Sequence, residues 1–212
     1  MGAMVTLASS LTGGSVREAS RALLEPGGQA RTVSVFGTEA LCFYRLNEGE
    51  HARREEVSAA RVDKLPDLEC LLTLPVGVPV PLQSLDSPAR RAVRGLPSGA
   101  VERDRKTVTR RAVRPLQVDL AVVRASGWRQ GLERAGQFAP FCRRAMLLDR
   151  LPARLDEVLV EADFYGIGVF VASGDEVELV LEPEDYRPPR HTAAAWWFVE
   201  DVYQRLRSAA AV

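Results

Sequence analysis

Three carboxylates stand where they could serve as metal ligands. Asp67 and Glu69 lie at the start of LECLLTL (Leu68–Leu74), an apolar segment that reads as a strand. A strand turns alternate side chains to one face, so the two acids would point the same way. Asp119 sits in a second apolar run, Gln117–Arg124, on the face of Ala121 and Val123. Hydrolysis of a phosphodiester assisted by Mg²⁺ needs oxygen ligands of this kind. Other chemistries lack their signatures. The chain has 2 histidines, His51 and His191, with no HExxH and no GxSxG. Gly166-x-Gly168 lacks the further glycines and following helix of a phosphate cradle. The 3 cysteines, Cys42, Cys70 and Cys142, form no CxxC pair and read as small buried apolar residues of a reducing compartment.

The second chemical feature is charge. Lys and Arg total 28 and so do Asp and Glu, yet the signs are segregated. Between Ser87 and Pro115 stand Arg90, Arg91, Arg94, Arg103, Arg105, Lys106, Arg110, Arg111 and Arg114, opposed by Glu102 and Asp104. Acids dominate from Asp149 to Asp201. Arg103, Arg105, Lys106, Arg110, Arg111, Arg114 and Arg129 are the candidate contacts to nucleic-acid phosphates. The aromatic interleaving of a single-strand binder is missing from the run. The same asymmetry also fits two halves that attract one another, within the chain or between subunits.

The elements that must position these groups alternate in type. From Leu116 the chain reads strand, helix from about Ser126 to Phe138, strand Ala145–Leu148, helix Leu155–Phe164 and strand Val169–Ala172. A turn at Gly174-Asp175 then leads into Glu176–Leu181. That alternation predicts an α/β fold with a central mixed sheet flanked by helices. Leu155, Val158, Leu159 and Ala162 share one helical face. Upstream, Ser15–Glu25 reads as a short helix, and Thr32–Phe36 with Ala40–Leu46 as a hairpin about Gly37. His51–Arg61 reads as an exposed helix or loop. Prolines 75, 79, 81, 88 and 97 argue against a regular element over 76–98. Residues 1–75 thus form a helix and strands of the same domain, 76–114 a Pro-rich then basic excursion, and 115–212 the core with a C-terminal helix from His191.

In that last helix Trp196 and Trp197 point about 100° apart. One is expected in the core and the other at an interface, with self-association or a protein partner in view. No apolar run approaches the ~18–20 residues that span a bilayer. Neither does the N-terminus read as a signal peptide, so a cytoplasmic location is expected.

The core segment also resembles a known family. Gln137-Phe138-Ala139-Pro140-Phe141 resembles the Gln-x-x-x-Tyr helix of the PD-(D/E)XK nuclease superfamily, especially its RecB-like members, with Trp128 as the early helix aromatic. Ala162–Val169 (ADFYGIGV) resembles the family's late helix-to-strand step. The likeness covers roughly Leu116–Leu181. It implies a restriction-endonuclease-like core in which a strand bearing an acid precedes a strand bearing acidic-x-Lys. By position that triplet falls on Val122-Val123-Arg124. Valine ligates no metal, and arginine does not stand in for a pKa-tunable lysine.

If the chain is active, the resemblance puts Asp67 (in a literal Pro-Asp), Glu69, Asp119, Arg124 and Gln137 at the site, with Mg²⁺. The expectation preferred here is a catalytically degenerate nuclease fold that binds nucleic acid, protein or both within a larger bacterial system, with no cofactor. The alternatives are an active metal-dependent DNA nuclease with migrated carboxylates, and a purely structural assembly protein.

Overall fold

The computed structural model describes residues 14–21, 23–174, 176–188 and 190–210. Asp175 of the expected Gly174-Asp175 turn, and Ala22 of the first expected helix, lie outside them. The protein is α/β, with a six-stranded mixed sheet, a three-stranded sheet and flanking helices. Among the described residues no helix is long and apolar enough to cross a membrane. The chain divides into two compact units. Unit 1 takes the chain up to Arg45 and again over Val118–Arg187; unit 2 takes Leu46–Gln117 and the chain from Pro188 on.

In unit 1, helical residues 14–19 (α1) precede strands β1 (Gln29–Val35) and β2 (Thr38–Leu46), paired antiparallel down to Val35↔Thr38. Phe36 and Gly37 form the turn with φ of 54° and 71°, the left-handed pair that a two-residue hairpin demands. Phe36 takes this conformation without glycine's freedom, and its ring stacks on Phe141 at 5.4 Å. The chain re-enters the sheet as β6 (Leu116–Ala125) and continues as α5 (Trp128–Gly136), β7 (Arg143–Leu148), α6 (Leu155–Phe164), β8 (Ile167–Ser173) and β9 (Glu176–Leu181).

The sheet order is β1-β2-β6-β7-β8-β9, with β6, β7 and β8 mutually parallel and β9 antiparallel. Parallel neighbours need crossovers, and right-handed crossovers stepping the same way put α5 and α6 on one face. Met146 lies on that face. A Cβ on Gly131 of α5 would stand 2.7 Å from its Sδ, so the glycine lets helix and sheet approach closely. The opposite face builds a core from Val16, Phe43, Leu120, Val122, Ala145, Leu147 and Phe170. The sheet expected from the sequence, with the Trp128 and Leu159 helices against it, is therefore present.

Unit 2 contains α2 (Glu48–Glu56), α3 (Leu65–Thr73), β3 (Pro79–Pro81), a 3₁₀ turn (Leu82–Ser84), α4 (Ser87–Gly95), β4 (Val101–Arg103), β5 (Thr107–Arg110) and α7 (Ala193–Ala210). The small sheet runs β3-β5-β4. Two expectations are corrected here. Leu68–Leu74 is helical rather than extended: α3 starts with Pro66 in its first turn and buries Leu68, Cys70 and Leu71, as a short apolar run permits for either element. The Pro-rich stretch contains a regular helix as well. Asp86 caps α4 by accepting from the Ala89 N–H at 2.7 Å, and Pro88 falls in the first turn, where its missing donor costs nothing.

Candidate functional site

The candidate acids are divided between the two units. Asp67 and Glu69 belong to α3 of unit 2, whereas Asp119, Arg124 and Gln137 belong to unit 1. On a helix, positions i and i+2 point about 200° apart, so Asp67 and Glu69 do not share a face. Asp67 is half-buried and Glu69 exposed.

Asp119 is already committed. Arg45 donates to both its oxygens, from Nε at 2.9 Å and from an Nη at 2.8 Å. The Asp119 side chain is 9% exposed. This fork satisfies the carboxylate and cancels its charge. The same hydrogen bonds, opposed by partial burial, hold the Arg45 guanidinium above its ordinary pKa.

Val122, at the first position of the triplet, is 2% exposed inside the core cluster. Arg124 lies on the surface and its Nε donates to Asp149 at 2.6 Å. Gln137 caps the end of α5 and accepts a long 3.4 Å contact from the Thr38 hydroxyl. With Phe141 stacked on Phe36, the Gln-x-x-x-aromatic element braces the β1–β2 turn. Magnesium requires several oxygen ligands at one point. The residues at the triplet offer buried valine and paired ions instead, so they do not fit the ion. Among the described residues no three His, Cys, Asp or Glu side chains gather into a group that would hold a metal.

The cations divide into those tied to protein groups and those facing water. Arg103 donates to the Val93 and Leu96 carbonyls at 2.5 and 3.1 Å, closing the C-terminal end of α4, where a cation also complements the helix dipole. Arg110 donates to the Leu71, Leu74 and Ala112 carbonyls and lies 4.6 Å over the Trp196 ring. Burial, then the like charge of Arg114, lowers its pKa from an already high value. Arg111 makes a two-nitrogen bridge to Glu102 at 2.9 and 2.6 Å. Arg114 is half-buried. In unit 1, Arg129 stacks 4.4 Å over its neighbour Trp128 and approaches Glu157 at 3.8 Å.

Arg105 and Lys106 are different. They occupy the tip of the β4–β5 hairpin and are exposed. Asp104 shapes that tip by accepting from the Lys106 and Thr107 N–H groups at 2.6 and 2.7 Å and from the Thr107 hydroxyl at 2.7 Å. Those backbone bonds, Lys106 first, lower the Asp104 pKa. Arg91 and Arg94 are exposed at i and i+3 of α4, hence neighbours on its surface. Among the described residues, the side chains of Arg91, Arg94, Arg105 and Lys106 form no hydrogen bond or ion pair. Arg103, one residue before Asp104, reaches the end of α4 and so joins the two basic elements. Sequence alone does not single out Arg91 and Arg94, because prolines mask α4; the Asp86-Ser87-Pro88 start is the signal that marks the helix.

Of the tryptophan pair, Trp196 is fully buried and donates to Glu200 Oε1 at 3.0 Å, while Trp197 is half-buried. No protein-family model, curated protein or solved structure matches this chain.

Proposed function

We propose that this chain binds nucleic acid through the basic surface of unit 2 without cutting it, on a nuclease-type scaffold kept for binding within a larger bacterial system. The observation that carries the reading is the set Arg91, Arg94, Arg105 and Lys106, exposed and without protein partners while Arg103, Arg110 and Arg111 are held by protein acceptors. Side chains of this kind are free to replace the counterions of a phosphate backbone. The succession β6, α5, β7, α6, β8 supports the PD-(D/E)XK resemblance, since strand, helix, strand, helix, strand is the order that likeness implies for this segment. The buried Val122 and the Arg45–Asp119 fork support loss of cleavage.

The test is a fluorescence-anisotropy titration with labelled duplex and single-stranded DNA, followed by incubation with Mg²⁺ or Mn²⁺. Binding with no cleavage is expected. Cleavage lost on Asp119→Ala or Asp67→Ala would instead establish a migrated active site, and no binding to either DNA would leave an assembly protein.

A further inference from the structure

A second surface, on unit 1, has the opposite character. Phe164 and Val160 of α6 are 81% and 71% exposed, the two highest values among the large apolar side chains described. They stand at i and i+4, one helical face, and the Tyr165 ring meets Phe164 at 5.1 Å. Beside them, between α5 and α6, opens a cleft of about 490 Å³. Its apolar lining comes from Leu132, Ala139 and Ile167, and Glu133 and Glu161 flank it.

Arg129 and Arg144 line the cleft together with Glu133 and Glu161, and the acidic excess lies on α6. LDEVLVEADF, the whole of α6, has four acids and no base. Glu157 is taken by Arg129 and Arg154, but Asp156, Glu161, Asp163 and Glu133 pair with no cation among the described residues. Arg144 completes the cleft. Its side chain is 13% exposed and it donates to the Tyr165 carbonyl, yet its Nε is buried with no acceptor. A buried donor calls for a partner.

We propose that this cleft and the Phe164 face dock a basic amphipathic peptide segment of a partner protein. An apolar side chain of the segment fills the space over Leu132 and Ile167, and its Lys or Arg residues meet Glu133, Glu161 and Asp163. Charge complementarity selects the occupant. The unpaired Asp156, Glu161, Asp163 and Glu133 disfavour a polyanion along α6. A second copy of this chain would offer α4, whose cations come with no large exposed apolar side chain to enter the cleft. The cleft belongs to unit 1 and the basic set to unit 2, and the proposal stands whether or not DNA binds.

The test uses the full chain and a short fluorescein-labelled helical peptide of leucine and lysine, with its leucine–glutamate counterpart as control. The lysine peptide is expected to bind saturably and the glutamate peptide not at all. Phe164→Ser and Glu161→Lys should each weaken binding roughly tenfold, the scale of losing one interface anchor. Melting temperature should stay unchanged, because both side chains are exposed. Absent or non-saturable binding, equal binding of the glutamate peptide, or wild-type affinity in both variants would overturn the proposal. So would a concentration-dependent dimer that Phe164→Ser abolishes, which would make the occupant a second copy.

Discussion

Replacing Val122 with an acid, the residue the nuclease resemblance calls for, should damage the fold rather than restore a site. Val122 is 2% exposed, and its cluster partners Val16, Phe43, Leu120, Ala145, Leu147 and Phe170 are all apolar. Val122→Asp gives up about 1.5–3 kcal/mol of side-chain burial. It adds about 1–3 kcal/mol for a polar group with no acceptor or cation in reach. The sum, about 2.5–6 kcal/mol, is a large share of the ~5–15 kcal/mol that holds a typical domain. Burial among apolar groups raises the folded-state pKa of the new carboxyl above its unfolded value of about 3.9. The penalty is therefore smallest below that pH and grows as pH rises, by about 1.4 kcal/mol per unit until the folded pKa is passed. Urea unfolding of the wild type and Val122→Asp at neutral and mildly acidic pH, followed by tryptophan fluorescence, measures both effects. Unchanged stability would refute the assignment of Val122 to the core. So would Mg²⁺-dependent cleavage by Val122→Asp combined with Arg124→Lys.

Other outcomes are equally specific. Arg54 of unit 2, 5% exposed, lies between the Glu50 and Glu200 carboxylates at 2.7 Å each. Arg54→Ala should cost about 3–5 kcal/mol in a urea melt, because it leaves the buried Glu200 without its cation and the buried Glu50 with Arg53 alone. Burial pushes the Glu50 carboxyl up, but the Arg53 fork and the Arg54 Nε hydrogen bond outweigh it and leave the pKa below the ordinary value. That stabilisation is present above the unfolded pKa and is lost as pH falls through the folded one, so Glu50→Gln should flatten the acid limb of the stability profile. Gly168→Ala would put a Cβ 2.8 Å from Pro183 Cδ and 2.9 Å from its backbone nitrogen. It should lower stability by about 1–3 kcal/mol, readable as a fall in melting temperature. Burial pushes the Cys42 thiol up to about 12, so a thiol reagent at neutral pH should label Cys42 only after denaturation.

The sequence is most legible where one period dominates. The β6-α5-β7-α6-β8 succession can be read directly, because continuous apolar strands alternate with segments such as Leu155, Val158, Leu159 and Ala162 at helical spacing. It misleads where signals conflict. LECLLTL satisfies strand and buried helix alike, and Pro66 was the clue to a helix start. In the Pro-rich stretch, the count of prolines outweighed the position of Pro88 just inside α4.

The candidate site is less legible, because its state depends on distant partners. Asp119 becomes a satisfied structural acid only through Arg45, 74 positions away. Arg103 and Arg110 become helix-end ligands through carbonyls that carry no side-chain signature. Charge content locates the basic run, but only the fold separates its bound cations from its free ones.

The most direct measurement is the salt dependence of duplex-DNA affinity for the wild type and for the variant carrying Arg91→Ala, Arg94→Ala, Arg105→Ala and Lys106→Ala together. Each phosphate contact contributes about −0.9 to the slope of log affinity against log salt, so the variant should lose roughly 3–4 from that slope. Its melting temperature should match the wild type, since these exposed side chains form no hydrogen bond or ion pair among the described residues. An equal slope in both proteins, or a wild type that fails to bind duplex at low salt, would contradict the account.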